Sequence, residues 1–83
     1  MTKYLMIIGP EPNRHAQASM VERGFLPIRM TGSEADNVRW LKLCYGVVLT
    51  KGWHKGERKN ECENLMMMAS VLKKQFVGKL SIY

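Results

Sequence analysis

Short apolar runs alternate with amphipathic segments along the whole chain, and this alternation constrains the fold more than any other feature. The runs cover residues 3–8, 25–30, 46–50 and 76–82. The third, Gly-Val-Val-Leu-Thr, is β-branched and uninterrupted by charge, which is typical of a strand buried on both faces. Strands separated by helices favour a parallel sheet with right-handed crossovers. The pattern therefore predicts a βαβαβαβ chain.

Capping signals and apolar spacing predict three helices between these strands. Asn13 and Ser33 suit N-caps, because their side-chain oxygens accept a free N–H of the first turn, and Gly24 suits a helix end. A third helix is predicted over residues 61–74. The predicted apolar stripes are Ala18 and Val21, flanked by Ala16 and Met20; then Ala35, Val38, Leu41 and Tyr45; then Leu65, Met68, Ala69 and Leu72.

The 83 residues suffice for one domain. We predict an α/β three-layer sandwich with a four-stranded parallel sheet of order 2-1-3-4. Strands one and three are then central, and Pro27 suits strand two to an edge.

Composition narrows the functional classes. The net charge of +6 favours anionic partners such as phosphates or nucleic acid. Apolar runs such as residues 65–69 are far shorter than the roughly 20 residues of a membrane span, and the N-terminus lacks a cleavage site. We expect a cytoplasmic protein without membrane contact. Cys44 and Cys62 are predicted to be reduced, buried thiols. No metal or cofactor is predicted.

The predicted topology brings two loops together at one crevice, because ligands bind where crossovers leave a parallel sheet in opposite directions. These are residues 9–13 and 51–60. The second loop carries four basic residues and one acidic residue, with two aromatic rings between them. Such a loop suits a phosphate with a stacked base or sugar, although a solvated loop with a packed tryptophan is the simpler alternative. The candidate binding residues are Gly9, Pro10, Gly52, Trp53, His54, Lys55 and Arg58.

Glu61 is the candidate catalytic residue. Its spacing from Leu65 and Met68 predicts the core-facing side of the third helix, beside the crevice. The helix N-terminus stabilises a carboxylate there, and an ionised carboxylate can attack a sugar anomeric carbon. A helix-capping charge without further function is the alternative. Glu63, about 200° around the helix, is the weaker candidate.

Two segments resemble one protein family. Ile-Ile-Gly-Pro at residues 7–10 resembles the Ile-Ala-Gly-Pro start of small proteins related to nucleoside 2-deoxyribosyltransferases. Residues 44–53 resemble that family's strand-three segment, Cys-Asp-Ala-Val, apolar residues and Pro-Gly-Trp, with Tyr45 replacing the aspartate. The resemblance implies a flavodoxin-like or Rossmann-like sheet, a nucleoside or nucleotide pocket, and a nucleophilic helix glutamate. That glutamate corresponds to Glu61 if the alignment contains a one-residue gap, and to Cys62 without one.

Two functional hypotheses follow. The first is a nucleoside- or nucleotide-binding protein that cleaves or exchanges an N-glycosidic bond with Glu61. The second is a non-catalytic module, for example a viral or mobile-element inhibitor, that binds a nucleotide, nucleic acid or protein partner through residues 51–60. In both, the consecutive methionines at residues 66–68 leave apolar surface that predicts a homodimer or higher oligomer.

Overall fold

The computed structural model describes residues 3–80, which form four strands and three helices. The sheet is entirely parallel, with strand order β2-β1-β3-β4, and this confirms the predicted fold class. None of the helices within residues 3–80 is long and apolar enough to cross a bilayer. The elements are β1 Lys3–Ile8, α1 Arg14–Glu22, β2 Phe25–Arg29, α2 Glu34–Leu43, β3 Gly46–Thr50, α3 Lys59–Val71 and β4 Gln75–Leu80.

Two clusters of buried side chains divide the molecule into three layers. On one face of the sheet, Met20 of α1 packs with Leu5, Ile7 and Val48. On the other face, α2 and α3 contact each other and β1, and they cover the larger cluster around Met6. Because β1 and β3 lie between the layers, their ends are fixed from both sides, and loops that leave those ends start from a rigid frame.

The predicted buried stripe of α1 was wrong. Ala16 and Met20 are buried, whereas Ala18 and Val21 are exposed. Buried positions recur every four residues from Pro12 in the preceding loop. The loop therefore sets the rotation of α1, and spacing within the helix could not reveal it.

In α2, Leu41 is buried as predicted, but Ala35 and Tyr45 are exposed. Tyr45 lies beyond the end of α2 at Leu43, so helical spacing does not apply to it. The unexpected buried residue is Asn37. Its Oδ1 accepts the Thr31 N–H at 2.7 Å, and its Nδ2 donates to the Thr31 carbonyl at 3.1 Å. These bonds satisfy the amide and fix the turn between β2 and α2.

The third helix begins two residues earlier than predicted and ends at Val71. Its buried stripe is Cys62, Leu65 and Ala69, so Cys62, not Glu61, occupies the inward position of the first turns. The predicted core-facing placement of Glu61 was therefore wrong. The predicted end of the last strand, at residue 82, lies outside the described residues.

β3 and β4 pack closely at Gly46, where there is no space for a side chain. A Cβ there would lie 2.5 Å from the Gln75 carbonyl oxygen and 3.2 Å from Val77 Cγ2. We expect Gly46→Ala to lower the free energy of unfolding by about 1–3 kcal/mol in urea titrations, because two strands must separate. Gly32→Ala is the control, since nothing lies within 4 Å of its Cβ position. Equal stability of the two variants would contradict this packing.

Candidate ligand-binding site

A cavity of about 310 Å³ lies at the carboxyl ends of the strands, between the loop after β1 and the loop after β3. Four of the residues singled out from the sequence line it: Gly9, Pro10, Trp53 and Arg58. The other four, Gly52, His54, Lys55 and Glu61, are not among the lining residues. The strand order explains the location, because it makes β1 and β3 neighbours.

Gly9 lets the main chain approach Trp53 at one wall of the cavity. Its φ is +119°, and a Cβ there would lie 2.9 Å from Trp53 Cβ and closer still to Thr50 Oγ1. The Thr50 hydroxyl in turn donates to the Ile8 carbonyl at 3.3 Å, which joins the ends of β1 and β3. Only glycine fits at this position without strain.

A turn after β3 sets the position of Trp53. The Trp53 N–H donates to the Thr50 carbonyl at 3.2 Å, and Gly52 has a φ of +86°. The His54 ring lies edge-on to the indole, with 5.5 Å between ring centroids. Gly52 and His54 therefore support the tryptophan from outside the cavity, while Lys55 is exposed on the loop.

Two arginines line the cavity, and each is paired with a carboxylate. Arg58 Nε donates to Glu61 Oε2 at 2.9 Å, and Nη2 donates to the same oxygen and to the Thr31 carbonyl. Arg29 Nη1 lies 2.8 Å from Glu11 Oε1. Since Glu11 and Glu57 also line the cavity, its charged side chains are balanced. Arg58 additionally links the loop after β3 to the turn before α2.

The Glu61 carboxylate faces Arg58 and is about half exposed. The hydrogen bond from Arg58 stabilises the ionised carboxylate and lowers the pKa of Glu61. The sequence predicts an ionised carboxylate here as well, but attributes it to the helix N-terminus. Glu63 does not line the cavity and lies 3.7 Å from Lys59 Nζ.

Cys62 takes the inward position that the sequence assigned to Glu61. It is buried, it lines the cavity, and its Sγ lies 3.9 Å from Met30 Sδ. Burial raises the pKa of this thiol, against the opposing effect of Arg58. The wall of the cavity at this point is therefore a neutral thiol beside a thioether. An alignment without a gap places Cys62 at the family glutamate, and that was the sequence signal for it.

Sequence reasoning also missed the contribution of β2. Arg29 and Met30, at the end of this strand, line the cavity together with Gly9 and Pro10. The predicted strand order already implied this contribution. Because β2 pairs in parallel with β1, the two strands end side by side, and the end of β2 lies next to the loop that follows β1. Gly56 and Glu57 lie in the predicted loop but carried no distinguishing pattern.

The two thiols should differ in their reaction with iodoacetamide. Both are buried, and burial raises the pKa of Cys44 to about 11. Only Cys62 borders the cavity. We expect native Cys44→Ala protein, which retains Cys62, to be alkylated several-fold faster at pH 8 than Cys62→Ala protein, with equal rates after unfolding. Mass spectrometry measures both rates, and faster labelling of native Cys44 would contradict the cavity assignment.

No protein-family profile, curated protein or solved structure matches this chain.

Proposed function

We propose that this protein binds a nucleoside or nucleotide in the cavity between residues 9–10 and 53–58. The observation that carries the proposal is the position of Trp53, which lines the cavity beside the bare main chain of Gly9. An aromatic ring with cationic groups nearby suits a base with a polar sugar or phosphate attached. The resemblance of residues 7–10 and 44–53 points to the same ligand class.

The size and charges of the cavity fit one such unit. Its volume of about 310 Å³ is at the lower end of the roughly 300–1,000 Å³ typical of ligand pockets. Carboxylates of Glu11 and Glu57 are acceptors for sugar hydroxyls. A phosphate would compete with Glu11 for Arg29 and with Glu61 for Arg58, and such exposed pairs cost only about 0–1 kcal/mol to separate.

Binding without turnover is the function that this geometry favours. The Glu61 carboxylate pairs with Arg58 and does not line the cavity, and the inward position holds the neutral Cys62 thiol. Glycosyl transfer by Glu61 is the second candidate. It is favoured by one observation, the hydrogen bond that joins the Glu61 carboxylate to Arg58, a residue that does line the cavity.

The two tryptophans allow a direct binding test. Trp53 lines the cavity, whereas Trp40 lies in α2, outside it. In the Trp40→Phe variant, all indole fluorescence comes from Trp53 and should change on titration with deoxynucleosides or mononucleotides. The Trp53→Phe variant should not respond. A response from Trp40 instead, or from neither residue, would contradict the proposal.

Turnover requires a separate assay. Wild-type protein is incubated with nucleosides and a second free base, and the bases are separated by chromatography. We expect no cleavage or exchange. If either occurs, Glu61→Gln should abolish it and Glu63→Gln should leave it, because only Glu61 pairs with a cavity residue.

Self-association is also part of the proposal. Met67 is 67% exposed and Val71 73% exposed on α3, and Phe76 of β4 is exposed nearby. Apolar side chains exposed together on one surface are typical of an interface between subunits. We expect a dimer by light scattering and a monomer for Met67→Glu. A monomeric wild-type protein at high micromolar concentration would contradict this arrangement.

A further inference from the structure

The excess of basic over acidic residues is greatest at the end of the sheet opposite the cavity, where the strands begin and the helices end. Five lie there, against one acidic residue, Glu22. The other six acidic residues lie in the loops after the strands or in the first two turns of α2 and α3. The net positive charge of the chain is therefore located mainly at the strand starts. The five basic residues are Lys3, Arg23, Lys42, Lys73 and Lys74.

Structural roles do not account for this excess charge. Each helix C-terminus is equivalent to about half a negative charge, so three of them offset less than half of the basic excess. One lysine caps a helix, since Lys74 Nζ donates to the Lys42 carbonyl at 2.9 Å. Within residues 3–80, none of the five forms a salt bridge.

Aromatic side chains lie among these cations. Lys3 Nζ is 4.5 Å from the centroid of the Tyr45 ring, and Trp40 packs edge-on against Tyr4 at 6.2 Å. The Tyr45 N–H donates to the Tyr4 carbonyl at 2.8 Å, which places both groups at the same end of the sheet, and the Tyr45 ring also packs against Phe25 with 5.8 Å between the ring centroids. Trp40 and Tyr45 are each 40% exposed. We call the five basic residues at this end, together with Trp40 and Tyr45, the strand-start surface.

We propose that the strand-start surface binds single-stranded nucleic acid, independently of the cavity. Phosphates are attracted by the clustered unpaired cations, and unstacked bases have exposed rings on which to stack. A duplex offers no free base face to Trp40 or Tyr45. An acidic peptide would pair with the lysines but would leave both rings without a stacking partner.

The charge contribution is tested with a fluorescein-labelled oligodeoxythymidine of about 16 nucleotides, by anisotropy at several salt concentrations. Each neutralised phosphate contributes about −0.7 to the slope of log K against log salt. Lys3→Ala/Lys42→Ala protein should have a slope shallower by about 1.4 and at least ten-fold weaker binding at low salt. The matched control is Lys51→Ala/Lys55→Ala, at the cavity end, which should bind as wild type does.

The stacking contribution is tested separately. Tyr45→Leu keeps an apolar side chain and the charge, and should weaken binding about five-fold or more. The oligonucleotide should quench Trp40 in the Trp53→Phe variant and leave Trp53 unchanged in Trp40→Phe. Absence of binding at low salt overturns the proposal. So does loss of binding only in the Lys51/Lys55 variant, or equally tight binding of polyglutamate, which would show charge attraction alone.

Discussion

Replacing Gly9 with alanine is expected to destabilise the fold and to abolish ligand binding in the cavity. The new Cβ would lie 2.9 Å from Trp53 Cβ and closer to Thr50 Oγ1, at a φ of +119° that alanine rarely adopts. Strain and overpacking together should cost at least about 2 kcal/mol of unfolding free energy. Urea titration measures the loss, and fluorescence of Trp53 in the Trp40→Phe background measures binding.

Gly32→Ala is the matched control for Gly9→Ala. Gly32 also lies in a loop that follows a strand, but no atom lies within 4 Å of its Cβ position. It should retain both stability and ligand binding. If Gly9→Ala protein folds normally and binds as wild type does, the close approach of Gly9 to Trp53 has no role in the site.

Replacing Arg58 with methionine is expected to loosen the loop after β3 and to weaken cavity binding about ten-fold or more. Arg58 holds that loop through the Thr31 carbonyl and through Glu61. Without it, the pKa of Glu61 should rise towards its ordinary value, because the hydrogen bond that lowers it is lost. Amide hydrogen exchange should accelerate over residues 52–58, and carboxyl NMR titration gives the pKa of Glu61.

Acid pH should remove part of the stability that the pairing of Arg58 with Glu61 provides in the wild-type protein. The pKa of Glu61 is lowered in the folded state, so its contribution to stability is present above the ordinary glutamate pKa of 4.5. That contribution is lost as pH falls below 4.5 through the folded-state pKa.

Arg39→Met is the control for Arg58→Met, since Arg39 pairs with Asp36 at the same sequence spacing but does not line the cavity. If Arg58→Met and Arg39→Met weaken cavity binding equally, the role assigned to Arg58 is contradicted.

Capping chemistry decided how well each helix could be predicted. Asn13 Oδ1 accepts the Ala16 N–H at 2.8 Å, and Ser33 Oγ accepts the Asp36 N–H at 3.2 Å. The starts of α1 and α2 could therefore be predicted from the sequence. The N-cap of α3 is Arg58, which makes no side-chain capping bond. Without that signal the predicted start lay two residues late, at Glu61.

The rotation of α3 explains why the site differs from its prediction. The stripe of Leu65 and Ala69 fixes which side of α3 faces the sheet, and Cys62 continues that stripe into the cavity. Glu61 is about 100° away around the helix and meets Arg58 instead. A one-residue difference in phase exchanges a carboxylate for a thiol. Apolar spacing alone is too tolerant to resolve such a difference, because both positions flank the same stripe.

Amide NMR shifts of isotope-labelled protein, titrated with deoxynucleosides and mononucleotides to millimolar concentrations, test most directly whether the cavity is a binding site. We predict shifts at Gly9, Trp53, Gly56 and Arg58, which line the cavity, and at the Trp53 indole N–H. Amides around Tyr45, at the opposite end of the sheet, should not move with the deoxynucleosides, which carry no phosphate. Absence of any shift with all of these ligands, or shifts confined to the strand-start surface, would contradict the cavity as a nucleoside or nucleotide site.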